Sequence, residues 1–224
     1  MVHRISVGMA SAFFIASLVA LGADGPASGS AKFEKEIAAF EAADKAAPPT
    51  QGGVIFVGDS GIRMWKSLAE DFPEHKPLNR GFGGSHMVDA TYFADRIVIP
   101  YHPRLIVLRE GGNDLTSGTT PEQLLADFKA FVAKVRAALP ETRIALISLN
   151  PNPARWNQAA KRKQANALLK DYIQSETNLD FIEIWDQLLG PDGQPREELF
   201  IKDRMHNNSA GYKIYAEAVR GHLK

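Results

Sequence analysis

Short apolar runs alternate along this chain with longer stretches in which apolar residues recur every three or four positions. Val54 to Val57, Leu105 to Leu108 and Ile144 to Ile147 are continuous runs, as expected of strands covered on both faces. Phe181 to Ile184 reads as a fourth strand. Around these, Phe33, Ile37 and Phe40 share one helical face, which ends at Pro48 and Pro49. Ile62, Trp65 and Leu68 return to helical spacing after the first run. The strongest stripe is Leu124, Leu125, Phe128, Phe131, Val132, Val135 and Leu139, with Thr120 as cap and Pro121 in the first turn. Ala165, Leu168, Leu169, Tyr172 and Ile173 mark another helix, and Tyr212, Tyr215, Ala216 and Val219 a closing one.

Strands separated by helices pair in parallel through right-handed crossovers. The expected fold class is α/β, a three-layer α/β/α sandwich in one domain. In open parallel sheets the ligand sits beyond the carboxyl ends of the strands. The residues that follow each apolar run are therefore the ones to inspect for chemistry.

Composition narrows the function classes. The 224 residues are 45% hydrophobic, which suffices for one buried core. Lys plus Arg and Asp plus Glu both number 26, and no basic run argues for nucleic acid as a partner. Cysteine is absent, which excludes disulfides, thiolate metal sites and a cysteine nucleophile. No H-E-x-x-H spacing or phosphate loop is present, so neither metal nor cofactor is expected. At the N-terminus, His3 and Arg4 precede a mostly apolar segment from Ile5 to Leu21, followed by small residues through Ala31. That order predicts a secretory leader over residues 1–30, cleaved after Gly22 or Ala23 or nearer Ala31, and an exported domain over 31–224. The alternative is an uncleaved segment that anchors the chain in a membrane.

Four strand ends carry candidate chemistry. Gly58-Asp59-Ser60 follows the first run, NRGFGGS (79–85) follows Leu78, REGGND (109–114) follows Leu108, and KDRMHNNSAGY (202–212) follows the last strand, while SLNPNPARW (148–156), after Ile147, stands at a fifth strand end with no catalytic role assigned. Acyl transfer needs a hydroxyl, a base, a group that orients the base, and donors for the developing oxyanion. Ser60 can supply the hydroxyl and His206 the base. Asp203 lies three residues before His206 and can fix its tautomer. The amides of Ser60 and Gly84 and the side chain of Asn113 can serve as the oxyanion donors. Each piece also has a plainer reading. Ser60 suits a helix cap, Gly84 a loop glycine, Asn113-Asp114 a turn, and Asp203 with His206 a surface pair. Their joint occurrence, in order and at one edge of the sheet, is what favours the chemical reading.

Together these blocks resemble the SGNH hydrolases, also called GDSL-type esterases and lipases. The first block resembles FVGDSGIRMW with Ser60 as nucleophile. NRGFGGS carries Gly84, and G-x-N-D carries Asn113. The closing D-x-x-H block holds Asp203 and His206. The arrangement is similar to the branch with platelet-activating-factor acetylhydrolase-like enzymes. The resemblance implies a flavodoxin-like parallel sheet and a catalytic triad of Ser60, His206 and Asp203. It also implies an oxyanion hole of Ser60, Gly84 and Asn113. Gly61 stands where the older motif name has leucine, a change expected to affect packing only. Arg109 and Glu110 are expected to pair with each other or with a neighbouring strand.

The substrate expected is a small-molecule or glycan ester. A short-chain carboxylic ester is the first choice and an O-acetylated glycan the alternative. A non-catalytic glycan-binding module on the same fold is the remaining possibility. His86, one turn from Asp89, is the rival base. No apolar insertion resembling a lipase lid is visible. Phe82, Met87, Pro153 and Trp156 are expected to wall the pocket.

Overall fold

The computed structural model describes residues 29–224, so the expected leader lies almost wholly outside the described residues. The elements in chain order are α1 (Glu34–Ala46), β1 (Val54–Gly58), α2 (Ser60–Arg63), α3 (Leu68–Asp71), β2 (Leu78–Gly81), α4 (Met87–Ile97) and β3 (Leu105–Arg109). They continue as α5 (Gly112–Thr116), α6 (Pro121–Ala138), β4 (Arg143–Ile147), α7 (Ala159–Gln174), β5 (Leu179–Ile182) and α8 (Ser209–Arg220). The five strands form one sheet in the order β2-β1-β3-β4-β5, and every pairing is parallel.

The alternation within each strand divides the core in two. Ile55, Val57, Ile106 and Leu108 face α1, α4, α6 and α7. Val54, Phe56, Leu105 and Val107 face the opposite way, onto Trp65, Phe72 and the apolar side of α8. Each large side chain sealed in these layers contributes about 1.5–3 kcal/mol of transfer free energy. The result is the expected three-layer α/β/α sandwich. Side-chain caps fix the first turns of α6 and α8. Thr120 accepts from the Gln123 amide at 3.1 Å, and Asn208 accepts from Ala210 and Gly211 at 2.9 and 3.2 Å.

Several elements differ from their sequence reading. The apolar spacing of Ile62, Trp65 and Leu68 belongs to two short helices and not one. The break falls where the Trp65 indole donates to Asp71 Oδ2 at 2.7 Å. Strand β2 has no apolar run because it is an edge strand. Its Arg80 pairs with Asp44 at 2.6 Å between the rings of Phe40 and Tyr101. Helix α4 hides a buried stripe of Met87, Ala90, Phe93, Ala94 and Ile97 immediately behind the glycine-rich block. Strand β5 begins two residues earlier than expected, at Leu179, and ends at Ile182. Ser30, placed in the leader by its position, is buried and donates to Asp89 Oδ1 at 2.5 Å, so it packs with the folded unit.

The chain order reverses between β1 and β3. That switch point opens a crevice at their carboxyl ends. Gly58 of β1 pairs there with Arg109 of β3, and the blocks singled out in the sequence follow directly after both.

Candidate active site

Ser60 opens α2, and Asp59 caps that helix through Oδ1, which accepts from the Gly61 amide at 2.7 Å. The cap is thus Asp59, which leaves the Ser60 hydroxyl free for other work. Ser60 Oγ lies 2.7 Å from His206 Nε2. His206 Nδ1 lies 2.6 Å from Asp203 Oδ2. The second carboxylate oxygen, Asp203 Oδ1, accepts from the backbone amides of Met205 and His206, both at 2.9 Å. Arg204 takes a positive φ of 58° between them, which tightens the turn so that one carboxylate reaches both amides and the ring. Burial raises the Asp203 pKa, but the bonds from the His206 ring and the two amides outweigh it and hold it down at about 2.

Gly84 sits in the exposed loop after β2 with a φ of +85°, and open space surrounds its α-carbon. Glycine adopts that conformation without strain and leaves the backbone open to a ligand. Asn113 lies in the first turn of α5. One hydrogen of Asn113 Nδ2 goes to Ser85 O at 3.0 Å, which ties it to the loop that carries Gly84, and the second remains free. Asp114 accepts from the Met87 amide at 3.0 Å and so clamps the two loops together.

His86 is not held as a base. It caps α4 in a reciprocal box with Asp89, its Nδ1 is 4.0 Å from Asp89 Oδ2, and its Nε2 is 3.3 Å from the exposed Ser117 Oγ. Phe82 and Met87 are wholly buried in the α4 layer and do not line the hollow beside Ser60. Trp156 packs against Trp185 with ring centroids 6.3 Å apart.

A charged cluster lies behind the nucleophile. Arg109 does not pair with Glu110. Its guanidinium binds Asp59 Oδ1, reaches Asn150 Oδ1 at 3.1 Å and lies 5.8 Å from the centre of the Tyr215 ring. This explains Gly61. A β-carbon there would meet Arg109 Nη1 at 2.1 Å, so the residue is small because an arginine fills the space. Tyr212 closes the same region by donating to Gly61 O at 2.9 Å. Glu110 turns the other way and is buried, 2.5 Å from Ser85 Oγ. Desolvation, with the charges of Asp59 and Asp114 nearby, pushes its pKa well up. Ser85 Oγ also lies 2.9 Å from Phe82 O. One hydroxyl proton serves both neighbours only if Glu110 is protonated and donates to Ser85.

The hollow beside Ser60 and His206 measures about 20 Å³ and is lined mainly by polar groups, among them Asn113, Asn150, Asn152, Arg155 and Arg162. Sequence reasoning noted the segment of Asn150, Asn152 and Arg155 at a strand end but assigned it no role. The strand-end rule was signal enough. Arg162 was missed. Its trace in the sequence is an arginine at the head of the buried stripe Arg162, Ala165, Asn166, Leu169 and Ile173 of α7. Among the described residues no His, Asp and Glu side chains gather as a metal site would require, and no helix is long and apolar enough to cross a membrane.

With this geometry in view, the comparison with known families is decisive. The model of the GDSL-like Lipase/Acylhydrolase family matches residues 50–214. The chain belongs to that family. It is therefore an ester hydrolase, and the match spans all the blocks described above. No curated protein matches. Among solved structures, a candidate platelet activating factor from Streptococcus pneumonia is similar at 23% identity with a TM-score of 0.75, over 87% of this chain and 94% of that one. A GDSL-like lipase from Bacteroides thetaiotaomicron is similar at 18% identity and TM-score 0.68, over 87% and 97%. A catalytic mutant of an acetylxylan esterase from Geobacillus stearothermophilus is similar at 17% identity and TM-score 0.59, over 78% and 95%. These three likenesses establish the common fold.

Proposed function

We propose that this acylhydrolase cleaves short-chain carboxylic esters, with Ser60 as nucleophile, His206 as general base and Asp203 as the group that orients it. The carrying observation is the unbroken relay from Ser60 Oγ to His206 Nε2 at 2.7 Å and from His206 Nδ1 to Asp203 at 2.6 Å. His206 removes the hydroxyl proton as Ser60 attacks the ester carbonyl. The oxyanion that forms takes hydrogen bonds from the amides of Ser60 and Gly84 and from the free hydrogen of Asn113 Nδ2. His206 then protonates the departing alcohol. Water then attacks the acyl-enzyme as His206 takes its proton, the bond to Ser60 Oγ breaks, and His206 returns the proton to Ser60 as the acid leaves. Asp203 stays ionised throughout and steadies the imidazolium.

The size of the hollow supports a small acyl group. A volume of about 20 Å³ accommodates roughly one water-sized group beside the nucleophile. An O-acetylated carbohydrate is the second reading, favoured by the same small hollow and by the likeness to an acetylxylan esterase. The relay argues against a non-catalytic glycan-binding role, since a binder has no need of an activated hydroxyl. Export through the leader accords with either substrate. Its test is the N-terminal sequence of the secreted protein, expected to begin at or before Ser30.

The decisive experiment compares the parent with Ser60→Ala on 4-nitrophenyl acetate and on longer acyl esters. Among these uncharged esters the parent is expected to favour acetate, and the variant to lose activity by about 10⁴-fold or more. A Ser60→Ala protein as active as the parent overturns the assignment. Acetate release from acetylated xylan, set beside the ester panel, separates the two substrate readings.

A further inference from the structure

The hollow beside Ser60 carries more positive charge than its chemistry requires. Arg109, Arg155 and Arg162 line it, and Asp59 is the one carboxylate among the lining residues. Asp59 binds Arg109 through Oδ1, and although its charge is felt at Arg162 it forms no ion pair with that residue. The other two guanidinium groups have only neutral partners. Arg162 donates to Asn150 O at 3.2 Å, to Gly112 O at 3.4 Å and to Gln158 Oε1 at 3.5 Å. Arg155 reaches Gly112 O at 3.5 Å. These bonds are long for a charged donor, for which about 2.7–2.9 Å is usual. Arg162 is 2% exposed, and its Nε is buried without any partner.

A buried, unpaired cation is costly, and proteins pair such groups with a charge. Here two neighbouring guanidiniums repel each other, and burial together with Arg155 and Arg109 outweighs the opposing charge of Asp59 and pulls the Arg162 pKa down to about 10. It remains cationic at neutral pH all the same. The neighbouring carbonyls can hold these side chains in place, but they do not neutralise them. A substrate carboxylate can do both, since its two oxygens match the forked donors of arginine.

We propose that Arg155 and Arg162 form a subsite for an anionic substituent of the substrate, so that the preferred ester carries a carboxylate close to the scissile carbonyl. The inference rests on the Ser60 reading above, since it names the substrate of that same site. The carboxylate can belong to the acyl part, as in a hemisuccinate, or to the alcohol part, as in an O-acetylated uronic acid. Arg162, being buried, fixes the depth of the subsite. Arg155, half-buried on a kinked turn with φ −128° and ψ 28°, stands at its outer side.

The test uses the full chain and two matched pairs of esters. Mono-4-nitrophenyl succinate is compared with 4-nitrophenyl butyrate, and acetylated methyl glucuronoside with acetylated methyl glucoside. The proposal expects the anionic member of at least one pair to have about tenfold or higher kcat/KM, and the pair that responds identifies which part bears the charge. In Arg155→Gln, and in 0.5 M sodium chloride, that ratio is expected to fall towards one. A purely structural role for Arg155 lowers both members alike and leaves the ratio intact. Ratios at or below one in both pairs, while hydrolysis still depends on Ser60, overturn the anion subsite and spare the mechanism. If no ester is cleaved, the acylhydrolase reading of Ser60 falls instead. Calorimetric titration with succinate and glucuronate then decides the subsite: saturable binding weakened in Arg155→Gln supports it, and its absence overturns it.

Discussion

Two charged networks meet at Ser60, and they are built on opposite principles. In front, Asp203 and His206 lie three residues apart on one exposed turn, and the Asp203 side chain is 41% exposed. Behind, Asp59, Arg109, Glu110 and Arg162 come from three separate segments and are almost sealed from water. The front network is local. Backbone amides of its own turn hold Asp203, so its geometry survives wherever that turn folds. The rear network exists only when β1, β3 and α7 are assembled, and it holds in place the loops on which the front network acts. Chemistry is thereby assigned to the wet, self-supporting side and positioning to the dry, assembled one.

The largest expected effect strikes the front. His206→Ala should reduce kcat by about 10⁴-fold or more, and Asp203→Ala by roughly ten- to a hundredfold less than that, as the orienting member of such a relay generally matters less. Thermal unfolding should move little in His206→Ala and only modestly in Asp203→Ala, because the Asp203 side chain is 41% exposed and solvent screens its charge. Steady-state kinetics beside melting curves check this. A large loss of stability on removal of His206 would erase the contrast between the two networks.

The rear should respond the other way. Gly61→Leu restores the residue of the motif name but thrusts carbon atoms into the Arg109 guanidinium, which its ion pair with Asp59 and its contact with Tyr215 hold in place. Overpacking of this kind costs about 1–3 kcal/mol. The expected outcome is a melting temperature several degrees lower, with a loss of kcat well short of that in His206→Ala. If leucine is accepted with no change in stability, Arg109 is not confined as described.

The same contrast explains what could be read in advance. The helix and strand order was legible because both faces of a parallel sheet are covered, which leaves continuous apolar runs such as Val54 to Val57. The front relay was legible because Asp203 and His206 are neighbours in the chain. Strand β2 was not, since an edge strand need not be apolar on both sides and Arg80 is paired from α1. Helix α4 was not legible either, since it starts at Met87 directly after the glycine-rich block of 79–85, whose glycines read as loop. The partners of Arg109 and Arg162 were out of reach. Periodicity reports which face of an element is buried, not which residue waits on the other side.

A smaller effect tests whether Glu110 acts as a neutral donor. Its carboxyl lies 2.5 Å from Ser85 Oγ, and Ser85 O in turn receives Asn113 Nδ2. Glu110→Gln keeps a donor at that point and should retain most of the activity. Glu110→Ala leaves Ser85 without it and should cost about 1–3 kcal/mol of stability, along with a measurable fall in kcat as Asn113 loosens. Equal losses in the two variants would mean that the charge, and not the proton, is what Ser85 requires.

The smallest effect is a slope. The folded protein holds the Glu110 proton above the ordinary carboxylate range, whereas the unfolded chain releases it near pH 4.3, on the order of a normal glutamate. Between those points the folded state binds more protons than the unfolded state. The stability Glu110 confers is therefore complete below the unfolded value and is lost as pH rises through the folded one. Asp114, shifted upward by desolvation, works in the same direction, so substitution of Glu110 alone should shallow the slope without abolishing it. Asp203 has the opposite sign, but its stabilisation is lost only as pH falls towards 2, outside the range in question. The parent should thus lose stability relative to Glu110→Gln as pH rises from about 5 towards neutrality, with a slope that cannot exceed about 1.4 kcal/mol per pH unit and is reduced by whatever relaxation admits water. Melting temperatures of the two proteins, taken in parallel across that range, should converge at the acid end and part at the alkaline end. Parallel curves would place an ionised Glu110 in the core, and the rear network would then carry a second negative charge against its arginines.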